Sequence, residues 1–471
     1  MSSNALPPYP TYKPTAIPWL QQVPEHWSEM KVKYIFRERV QKGYPSEPLL
    51  AATQSMGVVT KETYGERTVT AQKDLHLLKL VETGDFVISL RSFQGGIEIS
   101  HARGIISPAY TILKVSRKCH PHYLAYLLKS APFIDGLKLF ITGIREGQNI
   151  DYARLARTYL PWPEPAEQHL IVRYLHALDA KVKRYIRAKR SLIARLQEQK
   201  QAIIQRAVTR GLDPNVKLKP SGSIWLDEIP ENWTGLPLKR WLATPITDGP
   251  HETPVLHDDG VPFMSAESMV NGRLDFNRKR GFISEEDHRT YCLKLRPRRD
   301  DIFMCKSGAT TGKVAIVETD DEFSVWSPLA LIRVDRTKVI PRLLFQLLQV
   351  PYVQRQVQMT WSAGTQPNLS MGAMARLFVA LPGFSEQERI LEFVKTETGP
   401  IDRTIERVHK EIDFMQEYHT RLIADVVTGA VDVRAAAQAL PEDQMISGSD
   451  EQIIEVERLS MAAEGEEEYD G

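Results

Sequence analysis

Residues 401 to 427 read IDRTIERVHKEIDFMQEYHTRLIADVV. Ile401, Ile405, Val408, Ile412, Met415, His419, Leu422 and Val426 follow one another at alternating steps of four and three, apolar at every position except His419. That spacing keeps one stripe of side chains on one face of a helix and marks a seam made for a second helix. The partner is in the same chain. A shift of 219 residues lays Asn149 to Asp213 onto Asn368 to Asp432 without a gap, with identities including Pro163/Pro382, Glu167/Glu386, Gln168/Gln387, Arg184/Arg403 and Asp213/Asp432. The earlier copy keeps the seam at Val182, Ile186, Ile193, Leu196, Ile203 and Ala207, and places Lys189 and Lys200 at the remaining positions. One long helix is used twice, and a seam of this kind is scaffold.

A shorter motif repeats ahead of each copy. Trp19-Leu20, then Val23-Pro24-Glu25-His26-Trp27, returns as Trp225-Leu226, then Ile229-Pro230-Glu231-Asn232-Trp233. Two tryptophans around a Pro-Glu turn predict a small clasp, buried against the next part of the chain. Between clasp and helix lie two units that resemble each other only loosely. In the first, 87–90, 97–99 and 110–115 read as strands, with a turn at Gly95-Gly96, and 122–140 as a helix. In the second, 302–305, 314–317 and 329–334 read as strands. The first long helix is expected to stop near Gly211 and the second to start at the capping box Ser385-Glu386-Gln387-Glu388.

The expected fold is α+β: two pseudo-repeated α/β units separated by two long antiparallel coiled-coil helices, in a cyclic pseudo-two-fold arrangement. The boundaries are an irregular arm at 1–14, the first unit with its clasp at 15–162, the first repeated helix at 163–213, and a linker at 214–224. The second unit with its clasp comes next at 225–381, then the second helix at 382–434, and an acidic, disordered tail at 435–471. Residues 164–219 hold thirteen Lys/Arg against five Asp/Glu, and residues 383–434 seven against eleven. A basic helix beside an acidic one suits the pairing.

The formal net charge of +1 conceals a division: 441–471 carry −10, and the rest of the chain +11. The basic part suits a polyanionic partner. Cys119, Cys292 and Cys305 stand far apart and form no CxxC pair, and no histidine cluster has metal-ligand spacing. No apolar run is long enough for a membrane span and no signal peptide is visible, so a cytoplasmic chain without membrane partners is expected.

Catalytic signatures fail one by one. Ser307 to Val314 has three residues between Gly308 and Gly312, and Val314 follows Lys313 where a phosphate loop needs Ser or Thr. Leu6-Pro7-Pro8-Tyr9 lacks the Asn or Asp that opens an adenine methyltransferase motif. Glu198-Gln199-Lys200 lies on the long helix without the Pro-Asp of a nuclease motif.

What remains are polar loops at matching places. Arg91, Ser92 and Gln94 stand between strands of the first unit, as Lys306, Ser307, Thr310, Thr311 and Lys313 do in the second. Arg145 and Gln148 precede Asn149, as Thr365 and Gln366 precede Asn368; the two asparagines are expected to be structural caps. Arg, Lys and Gln are side chains that bond base edges in pairs, which makes these residues DNA-binding candidates.

Two dissimilar units, each preceded by a WLxxxPExW-like clasp and followed by a repeated helix, resemble the specificity subunit of type I restriction–modification systems. The resemblance covers residues 13–434. It implies two target-recognition domains, each reading half of a bipartite site on double-stranded DNA. It also implies that the helices space those domains and dock two methyltransferase (modification) subunits, with restriction subunits, the translocase and nuclease, joining outside. Such a chain has no catalytic site or cofactor of its own: S-adenosylmethionine, ATP and magnesium belong to the partner subunits. The tail from 441 is a departure. The alternative is a coiled-coil adaptor displaying two protein-binding modules.

Overall fold

A computed structural model of the chain describes residues 6–65, 74–142, 149–361 and 367–441. It contains two compact units, Met1–Arg190 with His409–Asp470, and Ser191–Val408. The boundary runs through both long helices, Pro165–Arg210 and Phe384–Val427, so each unit contains part of each.

The first helix opens on Pro165, whose missing N–H is one the helix end would leave unbonded anyway. It stops before Gly211, at φ +74°, where a side chain would be strained. The second begins at Phe384, ahead of the expected capping box: Glu386 and Gln387 donate their backbone N–H groups to the Gly383 carbonyl. Pro400 sits inside it. A proline there forfeits one backbone hydrogen bond, yet the apolar seam continues on both sides, with Ile401 buried next to it.

In the first unit the seam buries Val182, Ile412, Leu422 and Val426, with Ile186 and Met415 half-buried. Polar seam positions find opposite charges across it: His419 Nε2 lies 2.6 Å from Asp179, and Lys189 Nζ 2.6 Å from Glu411. In the second unit Ile193, Ala207, Ile401 and Val408 are buried, Leu196, Ile203 and Ile405 half-buried, and Lys200 Nζ lies 2.6 Å from Asp402. Numbers rise along one helix as they fall along the other, so the pairing is antiparallel in each unit.

The first unit carries a four-stranded antiparallel sheet in the order Phe36–Glu38, Thr111–Val115, Phe86–Ile88, Glu98–Ile99. Phe86, Leu113, Tyr123, Leu124 and Phe133 fill its core together with Ile171 and Leu175 of the first long helix. The helix expected over 122–140 is two helices, Pro121–Lys129 and Ala131–Leu137, followed by a 3-10 turn Lys138–Phe140. Ser130 is extended between them, because Pro132 has no N–H to continue the first and its ring crowds the preceding turn. The second unit carries a six-stranded sheet in the order Thr247–Asp248, Leu329–Ile332, Ile302–Cys305, Val314–Ile316, Arg273–Leu274, Met269–Val270. A three-stranded sheet centred on Val261–Met264 accompanies it.

Each clasp is a hairpin closed by a buried tryptophan. Tyr12–Pro14 pairs with Gln22–Pro24, and Leu218–Ser223 with Leu226–Pro230. Within the expected arm at 1–14, Tyr12–Pro14 is thus a strand and Tyr9 is buried, its ring 5.8 Å from that of Trp27. Likewise the second half of the expected linker at 214–224 is a clasp strand. At the start of the expected tail at 435–471, Arg434–Gln438 is a helix with Ala437 buried, and 442–471 lie outside the described residues.

The repeated glutamate ties the long helix to the clasp, and the repeated glutamine ties it to backbone groups of the unit that precedes it. Glu167 accepts a hydrogen bond from the Tyr9 hydroxyl at 2.8 Å and lies 2.8 Å from His26 Nε2. Glu386 accepts from Asn232 Nδ2 at 2.9 Å and from the Trp233 indole at 3.1 Å. Gln168 accepts from the His120 backbone N–H and donates to the Pro163 carbonyl, both at 2.9 Å. Gln387 accepts from Ile340 N–H at 2.9 Å and donates to the carbonyls of Lys338 and Pro382.

Candidate nucleic-acid interface

In the first unit the expected Gly95-Gly96 turn is a single helical turn, Ser92–Gly95. Ser92 is buried and its hydroxyl accepts the Ser89 backbone N–H at 2.8 Å, which holds the turn. The glycine at 96 is required twice over. Its φ is +85°, and a Cβ there would stand 2.4 Å from the Leu128 carbonyl oxygen. The turn thus sits hard against the end of helix Pro121–Lys129, which leaves Arg91 and Gln94 exposed. Beneath it lies Glu98, 5% exposed, 2.6 Å from Lys129 Nζ. Burial pushes the Glu98 carboxyl up to about 7, against the pull of Lys129.

In the second unit the loop from Lys306 to Lys313 is the turn between two antiparallel strands, closed by the Gly312 N–H donating to the Cys305 carbonyl at 2.8 Å. Most of its polar atoms face inward. The Thr311 hydroxyl donates to the Gly308 carbonyl at 2.8 Å, Thr310 Oγ1 lies 3.2 Å from Cys305 Sγ, and Ser307 bridges to Asn368. Lys313 is half-buried. The Lys306 ammonium is 2.8 Å from Asp248, a fully buried carboxylate that also binds Lys294 at 2.6 Å and His251 at 3.0 Å. Burial alone would raise the Asp248 pKa, but the hydrogen bonds and charges of Lys294 and Lys306 hold it below the usual carboxylate range.

Asp248 was not legible as a site residue, because a lone acid on a two-residue strand leaves no pattern in the sequence. A basic run at 278–280 does leave a signal in sequence, though it was not among the expected candidates. Arg278 and Arg280 are exposed, Lys279 lies between them, and the Arg280 guanidinium stacks 3.9 Å from the Trp326 ring. Arg145, Gln148, Thr365 and Gln366 lie outside the described residues. The caps expected at Asn149 and Asn368 come two residues later: Asp151 accepts the Arg154 N–H, and Ser370 the Ala373 N–H. Among the described residues no three of His, Cys, Asp and Glu are placed to hold a metal ion, and no helix is long and apolar enough to cross a membrane.

The geometry is therefore a doubled frame carrying two different polar turns. The chain is 24% identical over 311 residues to the type I restriction enzyme EcoBI specificity subunit of Escherichia coli. That match covers 65% of this chain and 64% of the relative, just under two thirds of its length. A second relative, the type I restriction enzyme MjaVIII specificity subunit of Methanocaldococcus jannaschii, is 21% identical over 360 residues, covering 75% of this chain and 81% of that one. This chain is similar to the type I specificity subunits. No family model matches it. Its fold is shared with a chain solved in work on complex assembly and conformational transition of the type I R-M system, with a TM-score of 0.58 at 14% identity, over 87% of this chain and 99% of the other.

Proposed function

We propose that the chain is the DNA sequence-specificity subunit of a type I restriction–modification complex. Residues 15–162 and 225–381 each read one half of a bipartite, asymmetric site on double-stranded DNA. The paired helices set the distance between the halves and dock two methyltransferase subunits, with restriction subunits outside. The chain itself is non-catalytic and acts in the cytoplasm; S-adenosylmethionine, ATP and magnesium work in the partner subunits. The observation that carries this reading is the repeat. The glutamine fastening recurs in its backbone contacts, while the polar turns of the two units differ in length, conformation and side chains. A frame held fixed under divergent polar turns is what reading two unlike half-sites requires. Within those turns Arg91 and Gln94 are the side chains best placed to meet base edges. In the second unit the exposed Arg278 and Arg280 join Ser307, Thr310, Thr311 and Lys313 as candidates, the latter group acting through backbone or through opening of the turn.

Methylated adenines mapped in cells carrying the complete system test this directly. Gln94→Ala should relax one half-site only, by about 1–3 kcal/mol of discrimination for a lost bidentate contact. Arg280→Ala should leave that half untouched. If both variants relaxed both halves alike, one unit would not read one half; if methylation kept its pattern when each unit was exchanged in turn, the adaptor reading would replace this one.

A further inference from the structure

In the first unit, helix Pro121–Lys129 packs on the start of the first long helix so that four imidazoles run together. Ring centroids lie 5.4 Å apart for His120–His169, 5.8 Å for His120–His122 and 5.2 Å for His122–His176. Arg173 shares the helix face of His169 and His176, one turn from each. It donates a guanidinium N–H to the carbonyl of Leu440, and its buried Nε has no hydrogen-bond partner among the described residues. Buried Val433 and Ala437 fix the short helix Arg434–Gln438, which delivers the chain to this face at Leu440. The next residues are Pro441, Glu442 and Asp443, and 441–471 hold eleven Asp/Glu against the single Arg458.

We propose that the acidic segment beginning at Glu442 docks on the face formed by His120, His122, His169, Arg173 and His176, as an intramolecular ligand whose hold tightens as pH falls.

Charge supports the assignment from every packed element. The carboxylates on this stretch of the long helix are already engaged: Glu167 with Tyr9 and His26, and Asp179 with the Tyr126 hydroxyl and His419 of the opposite long helix. Arg434 on the short helix is turned to Asp432. Cys119, at the start of the face, is kept a neutral thiol because burial pushes it up to about 11. The buried Arg173 Nε is therefore left to meet an arriving carboxylate. Burial, and then the neighbouring imidazoles, hold His120 down to about 4. An anion on the face opposes both effects, so docking and proton uptake must favour each other.

The second unit shows why the segment should choose the first. Under the 219-residue shift His169, Arg173 and His176 become Glu388, Glu392 and Lys395, which line a cavity of about 530 Å³ there. Two carboxylates at that place repel an acidic strand.

The test uses the full chain and diethyl pyrocarbonate, which acylates only neutral imidazole, with rates read for each histidine by peptide mass spectrometry across pH 5–8. The comparison is a chain of equal length bearing Glu442→Gln, Asp443→Asn, Asp450→Asn and Glu451→Gln. In the native chain His122, His169 and His176 should react several-fold more slowly, with midpoints higher by about half a pH unit or more, and about 0.5 M NaCl should erase the difference by screening. Exposed His251 and His257 should react alike in both chains and report that the fold is unchanged. Arg173→Gln with the native tail should reproduce the loss independently. Equal rates and midpoints at the three histidines in all three chains would overturn the proposal.

Discussion

The two units fasten clasp to helix at equivalent places with different partners. In the first, Glu167 takes a phenol and an imidazole; in the second, Glu386 takes an indole and an amide. The glutamines beside them do the same backbone work in both, bonding the carbonyl of Pro163 or Pro382 and the N–H that precedes the next helix. Backbone contacts are retained between the repeats where side-chain contacts have drifted. The reason is geometric: a backbone carbonyl is present whatever side chain its residue carries, and so is the N–H of any residue but proline, while a side-chain partner survives only if its residue does.

The sharpest contrast between the units is in their buried carboxylates, and it predicts opposite responses to pH. Glu98 titrates near 7 in the folded chain, above its ordinary 4.5. The folded state therefore holds its proton more tightly than the unfolded one, and the associated stability, full below pH 4.5, is lost as pH rises through 7. That loss is on the order of 3 kcal/mol, since each pH unit between the two values is worth about 1.4 kcal/mol. Glu98→Gln should accordingly stabilise the first unit above pH 7 and change little below pH 4.5. Asp248 is displaced downward, so its contribution is present above the ordinary carboxylate range and disappears as pH falls through its folded value. Asp248→Asn should destabilise the second unit at neutral pH, and less so in acid. Hydrogen exchange of peptides from each unit, followed against pH, separates the two. A Glu98→Gln chain no more stable than wild type at pH 8 would break the contrast.

A smaller effect is expected at the glutamines. Gln387 and Gln168 are both fully buried, but Gln387 makes three backbone hydrogen bonds and Gln168 two. Truncation to Ala leaves buried backbone groups unbonded, at about 1–3 kcal/mol. Gln387→Ala should lie nearer the upper end and Gln168→Ala nearer the lower, each read as local loss of protection in its own unit.

Legibility in the sequence depends on whether a feature leaves a period there. The seam from Ile401 to Val426 repeats over several turns, so helix, partner and direction could be read before any coordinate. The Glu-Gln identities were visible, but their partners Tyr9, Trp233 and Lys338 lie far off in the chain and share no spacing with them. The turn that buries Ser92 and the ion pair of Lys306 with Asp248 are tertiary facts that no spacing in the sequence announces. Pro132 could have divided the helix expected at 122–140; the apolar residues on both sides of it hid the break.

The finest test concerns the clasp tryptophans, both buried and alike in sequence context. The Trp233 indole N–H donates to Glu386, whereas that of Trp27 has no hydrogen-bond partner among the described residues. Replacing either by Phe removes similar volume and leaves a similar void, so the packing costs largely cancel between the units. What differs is polar. Trp27→Phe discards a buried donor that was already unsatisfied, which returns some of its desolvation cost. Trp233→Phe breaks a bond to a carboxylate that keeps Asn232, so the loss is modest. Trp233→Phe should therefore destabilise its unit by about 1 kcal/mol more than Trp27→Phe destabilises the other. Adding Glu386→Gln to each chain sharpens the reading: it should shrink the cost of Trp233→Phe and leave that of Trp27→Phe unchanged. Equal costs for the two substitutions, with and without the Glu386 change, would show that the indole bond adds nothing and that both clasps are held by packing alone.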